Sequence, residues 1–153
     1  MDADFGGDAY FRSVDFSGFA YFESANFTGN ATFCSTEFNK VYFIGATFTS
    51  VSLNGSEFNQ MRVEWSALKD ALSADGLTYI KLIKNFRGIE QFEDADAAYY
   101  QYRRLSQASK KWSFSKLGDV LIWVTCGYGV KPHYTIGLAL AHIPHFKTLK
   151  RIY

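Results

Sequence analysis

No stretch of this chain is long and apolar enough to cross a bilayer as a helix, which takes about 18–20 residues. The two nearest candidates are broken. Lys131 and Pro132 interrupt the run that starts at Leu117, and Pro144 stops the run that starts at Tyr134. Cysteine is scarce: Cys34 and Cys126 stand far apart, so there is no disulfide framework and free thiols are expected. The opening Met1-Asp2-Ala3-Asp4 is acidic and leads into no apolar signal core, which points to the cytoplasm or the cytoplasmic side of a membrane. Chemical motifs are missing too, with no phosphate loop, dinucleotide fingerprint or nucleophile elbow. His133, His142 and His145 lack cysteine or carboxylate partners at zinc spacing, and Pro144 spoils a shared helix face. The acids Glu93, Asp94 and Asp96 fit the charged start of a helix better than a catalytic pair. We therefore expect no catalytic residue, metal or cofactor, and no enzyme.

What the chain has instead is phenylalanine at a fixed beat. Phe5, Phe11, Phe16, Phe22, Phe27, Phe33, Phe38, Phe43, Phe48, Leu53 and Phe58 recur about every five residues. Neither the helix period nor the strand period gives that spacing. Two before each centre stands a small or β-branched residue: Ala3, Ala9, Val14, Ala20, Ala25, Ala31, Thr36, Val41, Ala46, Val51 and Ser56. The remaining positions are mostly polar or glycine, as tight corners require. One large and one small residue per unit point inward, so stacked coils build a narrow column of rings beside a column of small side chains. Burying each phenylalanine contributes roughly 1.5–3 kcal/mol. Asp8, Phe19 and Asn30 are extra residues in this rhythm. They predict one slightly wider corner in the early coils, with Phe19 exposed.

Units such as Ala25-Asn26-Phe27-Thr28-Gly29 and Ala46-Thr47-Phe48-Thr49-Ser50 resemble the pentapeptide-repeat family, whose units read A-(D/N)-(L/F)-x-x. The resemblance covers residues 3–65 and implies a β-solenoid, a right-handed quadrilateral β-helix of about three coils. Phenylalanine at the centre and the extra residues mark a variant subgroup.

After Trp65 the period changes. Residues 66–111 predict a helical cap or hairpin. Its first helix is short, from Ser66 as N-cap through Leu72, with Gly76 as the stop. A second spans about Thr78 to Arg87 with Leu77, Ile80, Ile83 and Phe86 on the apolar side. A third runs from about Glu90 to Lys111 with Ala95, Ala98, Tyr99, Tyr102 and Leu105 inward. Such a region would seal the C-terminal end of the solenoid.

Charge divides along the chain. Residues 1–60 carry seven acidic and two basic side chains, whereas from Ala97 onward there are nine basic and one acidic. Residues 112–153 form a basic, apolar tail. Lys110, Lys111, Trp112, Lys116, Trp123, Tyr128, Lys131 and Tyr134 are its candidate membrane contacts, since basic and aromatic side chains favour the interface. Thr125-Cys126-Gly127-Tyr128-Gly129 is similar to the T-V-G-Y-G filter of potassium channels. A filter needs a pore helix, flanking membrane helices and four copies, and Lys131-Pro132 follows at once, so a filter is not expected. The block Ala98-Tyr99-Tyr100-Gln101-Tyr102-Arg103-Arg104, then Lys110-Lys111-Trp112, then Tyr128-Gly129-Val130-Lys131-Pro132 resembles the linker of microbial pentapeptide-repeat membrane proteins. In that group the repeats precede transmembrane helices, and in some members an ion-channel pore. His142-Ile143-Pro144-His145 departs from that pattern, so the transmembrane part is expected to be absent or cut off.

The expected function is a non-enzymatic interaction module, the cytoplasmic part or remnant of a membrane protein. Its expected partners are an unidentified protein and a membrane surface, not nucleic acid, and an open solenoid end offers a homodimer contact. The alternative is a soluble protein-binding or DNA-mimicking rod acting on a partner such as DNA gyrase, through Asp4, Asp15, Glu23, Glu37 and Glu57. The solenoid itself is testable. Phe27→Arg buries a charge and Ala25→Trp overpacks a narrow column. Either should abolish the β-type circular dichroism, and a variant with an unchanged Tm would refute the stacked core.

Overall fold

A computed structural model describes residues 3–109 and 121–122. The chain divides into two compact units, Met1–Tyr102 and Arg103–Tyr153. The first is a β-solenoid of about three turns followed by helices. Its strands are β1 (Asp4–Phe5), β2 (Ala9–Tyr10), β3 (Asp15–Tyr21), β4 (Asn26–Thr32), β5 (Glu37–Tyr42), β6 (Thr47–Ser52) and β7 (Glu57–Arg62). Then come α1 (Trp65–Leu68), β8 (Leu72–Ser73), α2 (Gly76–Gly88) and α3 (Phe92–Ser109). All pairings are parallel. One sheet runs β1-β4-β6-β8, with β2 also on β4, and the other runs β3-β5-β7.

The repeat explains the coil. In β5, Phe38 and Val41 lie three apart and would face opposite ways in a flat strand. Both are buried, so the backbone bends between them and each of the longer strands, β3 to β7, serves two sides. The other two corners are β-turns. Phe22–Ala25, Phe33–Thr36, Phe43–Ala46 and Leu53–Ser56 are each closed by a backbone bond from the fourth residue to the first, 2.9–3.3 Å. The third residue has positive φ, at Ser24 (55°), Ser35 (56°), Gly45 (69°) and Gly55 (72°), as a type II turn demands.

Inside, the centres form four columns. Phe5, Phe27 and Phe48 stack at 4.6 and 5.1 Å, Phe16 on Phe38 at 5.1 Å, Phe11 on Phe33 at 4.9 Å and Phe22 on Phe43 at 5.2 Å. Within a column the rings are nearly parallel, whereas Phe22 and Phe33 of neighbouring columns meet at 71°. The coil-to-coil spacing of parallel strands sets the stack, and the narrow bore sets the edge contacts. Ala20, Ala25, Ala31, Val41, Ala46 and Val51 fill the remaining inward places and are buried. Two inward positions are polar. The Thr36 hydroxyl donates to the Phe11 carbonyl, and the Ser56 hydroxyl bonds the Phe33 carbonyl at 2.9 Å. The hydroxyls thus replace apolar contact with a coil-to-coil hydrogen bond, and none is left buried and unpaired.

The extra residues widen two corners rather than one. Register shifts fall between Phe16 and Phe19 and between Phe27 and Asn30. Asp8 meets Asn30 there, accepting from its backbone N–H at 2.8 Å and its side-chain amide at 3.1 Å. These bonds, with one from Tyr10, hold the Asp8 carboxyl below its ordinary pKa. Phe19 is 57% exposed, as the rhythm implies.

The helical part differs from expectation in detail. Helix α1 is one turn long, its N-cap is Glu64 rather than Ser66, and Leu72 has left it to pair with Val51 in β8. The edge of β6 was available to that segment, and its backbone groups pair there instead of continuing the helix. Gly76 starts α2 instead of ending α1. The buried side of α2 is Thr78, Tyr79, Leu82, Ile83 and Phe86, while Leu77 and Ile80 are exposed. Tyr79 is chosen over Ile80 because its ring packs on Trp65 and Tyr102 at 6.0 and 5.9 Å. In α3, Ala95 and Ala98 are buried but Leu105 is 51% exposed. Polar side chains close the last coil. Asn85 accepts from the Met61 N–H at 2.9 Å and donates to the Met61 carbonyl at 2.7 Å, Gln91 donates to Val63 at 3.2 Å, and Asp94 accepts from the Trp65 N–H at 3.1 Å.

A Cβ on Gly29 would stand 2.5 Å from the Gly7 carbonyl carbon, whereas one on Gly18 meets nothing within 4 Å. Gly29→Ala should therefore destabilise by about 1–3 kcal/mol in urea titration, while Gly18→Ala stays within about 0.5 kcal/mol.

Candidate functional site

Three of each five residues point outward, so a coil displays its side chains in ladders as regular as its core. One ladder stands out chemically. The residue before the centre on one side is Tyr21, then Tyr42, then Arg62, in direct register. On the adjoining position Phe19, Lys40 and Gln60 align. Phe19 reaches the surface because it is the extra residue of its coil. Its ring lies 6.1 Å from Tyr21 and 6.4 Å from Tyr42, and Tyr21 stacks on Tyr42 at 5.1 Å and 13°. Lys40 Nζ sits 5.4 Å from the Phe19 centroid, within reach of a cation–π attraction. Tyr21 is 64% exposed and Phe19 57%. Rings standing in water on one sheet face, braced by each other, are the chemistry of an interaction surface.

Beyond Arg62 this face runs into a cleft of about 730 Å³ between β7 and α2. Phe58 and Ile89 form its apolar part, and Gln60, Arg62, Lys84 and Asn85 its polar part. Lys81 is already engaged, at 2.5 Å from Glu57 Oε1 and 3.1 Å from the Ser56 carbonyl. Arg62 and Lys84 make no ion pair among the described residues. Glu90, at φ 62°, also lines the cleft.

The acids proposed from sequence are spread over the solenoid. Asp15, Glu37 and Glu57 share one column, and Lys81 neutralises the last. Asp4 heads a different ladder, accepting from Asn26 at 3.3 Å, which in turn accepts from Thr47 at 2.7 Å. Glu23 follows Phe22 on another side. Lys110, Lys111, Trp112, Lys116, Trp123, Tyr128, Lys131 and Tyr134 lie outside the described residues, as do His133, His142 and His145. Among the described residues no helix is long and apolar enough to cross a membrane, no three His, Cys, Asp or Glu could hold a metal ion, and Cys34 is a free thiol. Tyr21, Tyr42, Lys40 and Arg62 were not singled out from sequence. The signal was there, because residues one coil apart must coincide, but it emerges only once coil length is known.

No protein-family model, curated protein or solved structure matches this chain.

Helix α2 carries one wall of the cleft, and Asp75 fixes its start by accepting from the Thr78 N–H at 2.7 Å. That bond holds the Asp75 carboxyl below its ordinary value. Its contribution is therefore present above the unfolded-state pKa and lost as pH falls through the folded one. Asp75→Ala should lower stability by about 1 kcal/mol at neutral pH. The gap to the wild type should close on acidification in denaturant titrations.

Proposed function

We propose that this protein is a non-enzymatic interaction module of the pentapeptide-repeat type, which uses its solenoid as a rigid display frame. The observation that carries this reading is the stack of exposed Phe19 and Tyr21 on half-buried Tyr42, with Lys40 over the Phe19 ring. Such rings contribute nothing to the core, and their packing against each other makes them rigid before a partner arrives. Rigid aromatic anchors bind with little loss of conformational freedom, which is why they concentrate binding energy at protein interfaces. The partner is a protein that buries these rings and meets Lys40 with a carboxylate.

The attachment of this module to a membrane through its basic tail is part of the proposal and has its own support in the charge division of the chain. Of the five acids on which the DNA-mimicking reading draws, only Asp15, Glu37 and Glu57 share a column, and Glu57 is already paired with Lys81, so the aromatic face is preferred.

The experiment is differential capture from an extract of the source cells, with the wild type and with Tyr21→Ser/Tyr42→Ser. Both side chains are outside the core, so the variant should keep its circular dichroism and its Tm within a few degrees. A protein retained by the wild type and reduced about tenfold or more with the variant supports the interface. Identical captured sets would refute it.

A further inference from the structure

The cleft between β7 and α2 gathers cationic and apolar side chains from two elements. Although residues 1–102 carry fourteen acidic and seven basic side chains, Arg62 and Lys84 make no ion pair among the described residues. They sit on different elements, one on the strand wall and one on the helix wall. Gln60 lines the same cleft with an amide that has no hydrogen-bond partner among the described residues, and Phe58 and Ile89, both half-buried, are its apolar lining. The one other cation of the cleft, Lys81, is neutralised by Glu57. The volume, about 730 Å³, is that of a small-molecule site.

We propose that this cleft binds a small ligand bearing a compact oxyanion, a phosphate or paired carboxylates, held between Arg62 and Lys84 with its carbon skeleton on Phe58 and Ile89. Arg62 supplies the planar fork that suits two oxygens at once, and Lys84 supplies a point charge from the opposite wall. Gln60 donates a neutral hydrogen bond from the floor. Glu57 and Glu90 in the lining, and the acidic excess of the unit, repel a long polyanion. The site thus selects one compact anionic group over a nucleic-acid backbone. This assignment does not depend on the aromatic face being an interface.

The test is isothermal titration of the full chain with three probes: inorganic phosphate, glycerol 3-phosphate and succinate. The variants are Arg62→Gln, Lys84→Gln, Arg62→Lys and the control Lys69→Gln, an exposed cation away from the cleft. We expect saturable one-site binding of glycerol 3-phosphate or succinate. Either cleft neutralisation should weaken it about tenfold or more, and Arg62→Lys should weaken it through loss of the fork. Lys69→Gln should stay within about twofold, as a distant exposed charge does. Tighter glycerol 3-phosphate assigns a phosphorylated ligand and tighter succinate a dicarboxylate. Tyr21→Ser/Tyr42→Ser should bind the probes like the wild type, so loss of partner capture and loss of oxyanion binding are separate results. Absence of saturable binding to all three probes, or equal weakening in Lys69→Gln and Arg62→Gln, would overturn the proposal. Because Arg62 and Lys84 are exposed, unchanged melting curves will show that any lost binding reflects lost contacts.

Discussion

Ring stacking between successive coils is the constraint from which the other features of this molecule follow. Parallel strands lie about 4.8 Å apart, and aromatic rings prefer to stack with centroids at a similar distance. Phe5 on Phe27 at 4.6 Å and Phe16 on Phe38 at 5.1 Å show the two spacings satisfied together. A column of rings therefore stabilises the ladder of backbone bonds, and the ladder holds the rings in register. The bore that results has room for only small side chains at the other inward place. Alanine, valine, threonine and serine there are a consequence of phenylalanine in the columns.

The same register governs the outside. A residue has no choice of vertical neighbours, because its position in the coil fixes them. Tyr21 meets Tyr42, and Tyr42 is followed by Arg62. Asn39 likewise sits between Ser17 and Asn59, donating to the Ser17 carbonyl at 3.2 Å and accepting from Asn59 at 3.3 Å. A ladder of like residues binds itself, whereas a change of residue type along a ladder creates an edge. Aromatic gives way to cation between Tyr42 and Arg62, and the aromatic face and the cleft adjoin at that edge.

The solenoid was legible in the sequence because its energetics are local to each five-residue unit. Even Phe19 could be placed in solvent by counting. The helices were less legible, because their faces were decided by what they cover. Leu77 and Ile80 look as apolar as Tyr79 and Leu82, yet only the latter meet Trp65 and the last coil. The segment around Leu72 reads as helix by its own composition and becomes strand because β6 offers an edge. The candidate site was hidden for a different reason. Arg62 and Lys84 lie twenty-two residues apart in the chain, with no pattern linking a repeat position to a helix position. Only the docking of α2 on β7 brings them to one cleft.

The coils are also not interchangeable parts. Phe16 stacks on a residue twenty-two places on, Phe22 on one twenty-one places on, and Phe38 pairs with one only twenty places on. The longer early coils are tied to each other by Gly29 lying against Gly7 and by the Asp8–Asn30 bonds. A duplicated copy of the short coil would find a matching neighbour toward the helices but a bulge toward the start. The molecule can grow by tandem copying in one region and resists it in the other. Any lengthening of this rod in evolution or by design has a preferred insertion point, between β5 and β7.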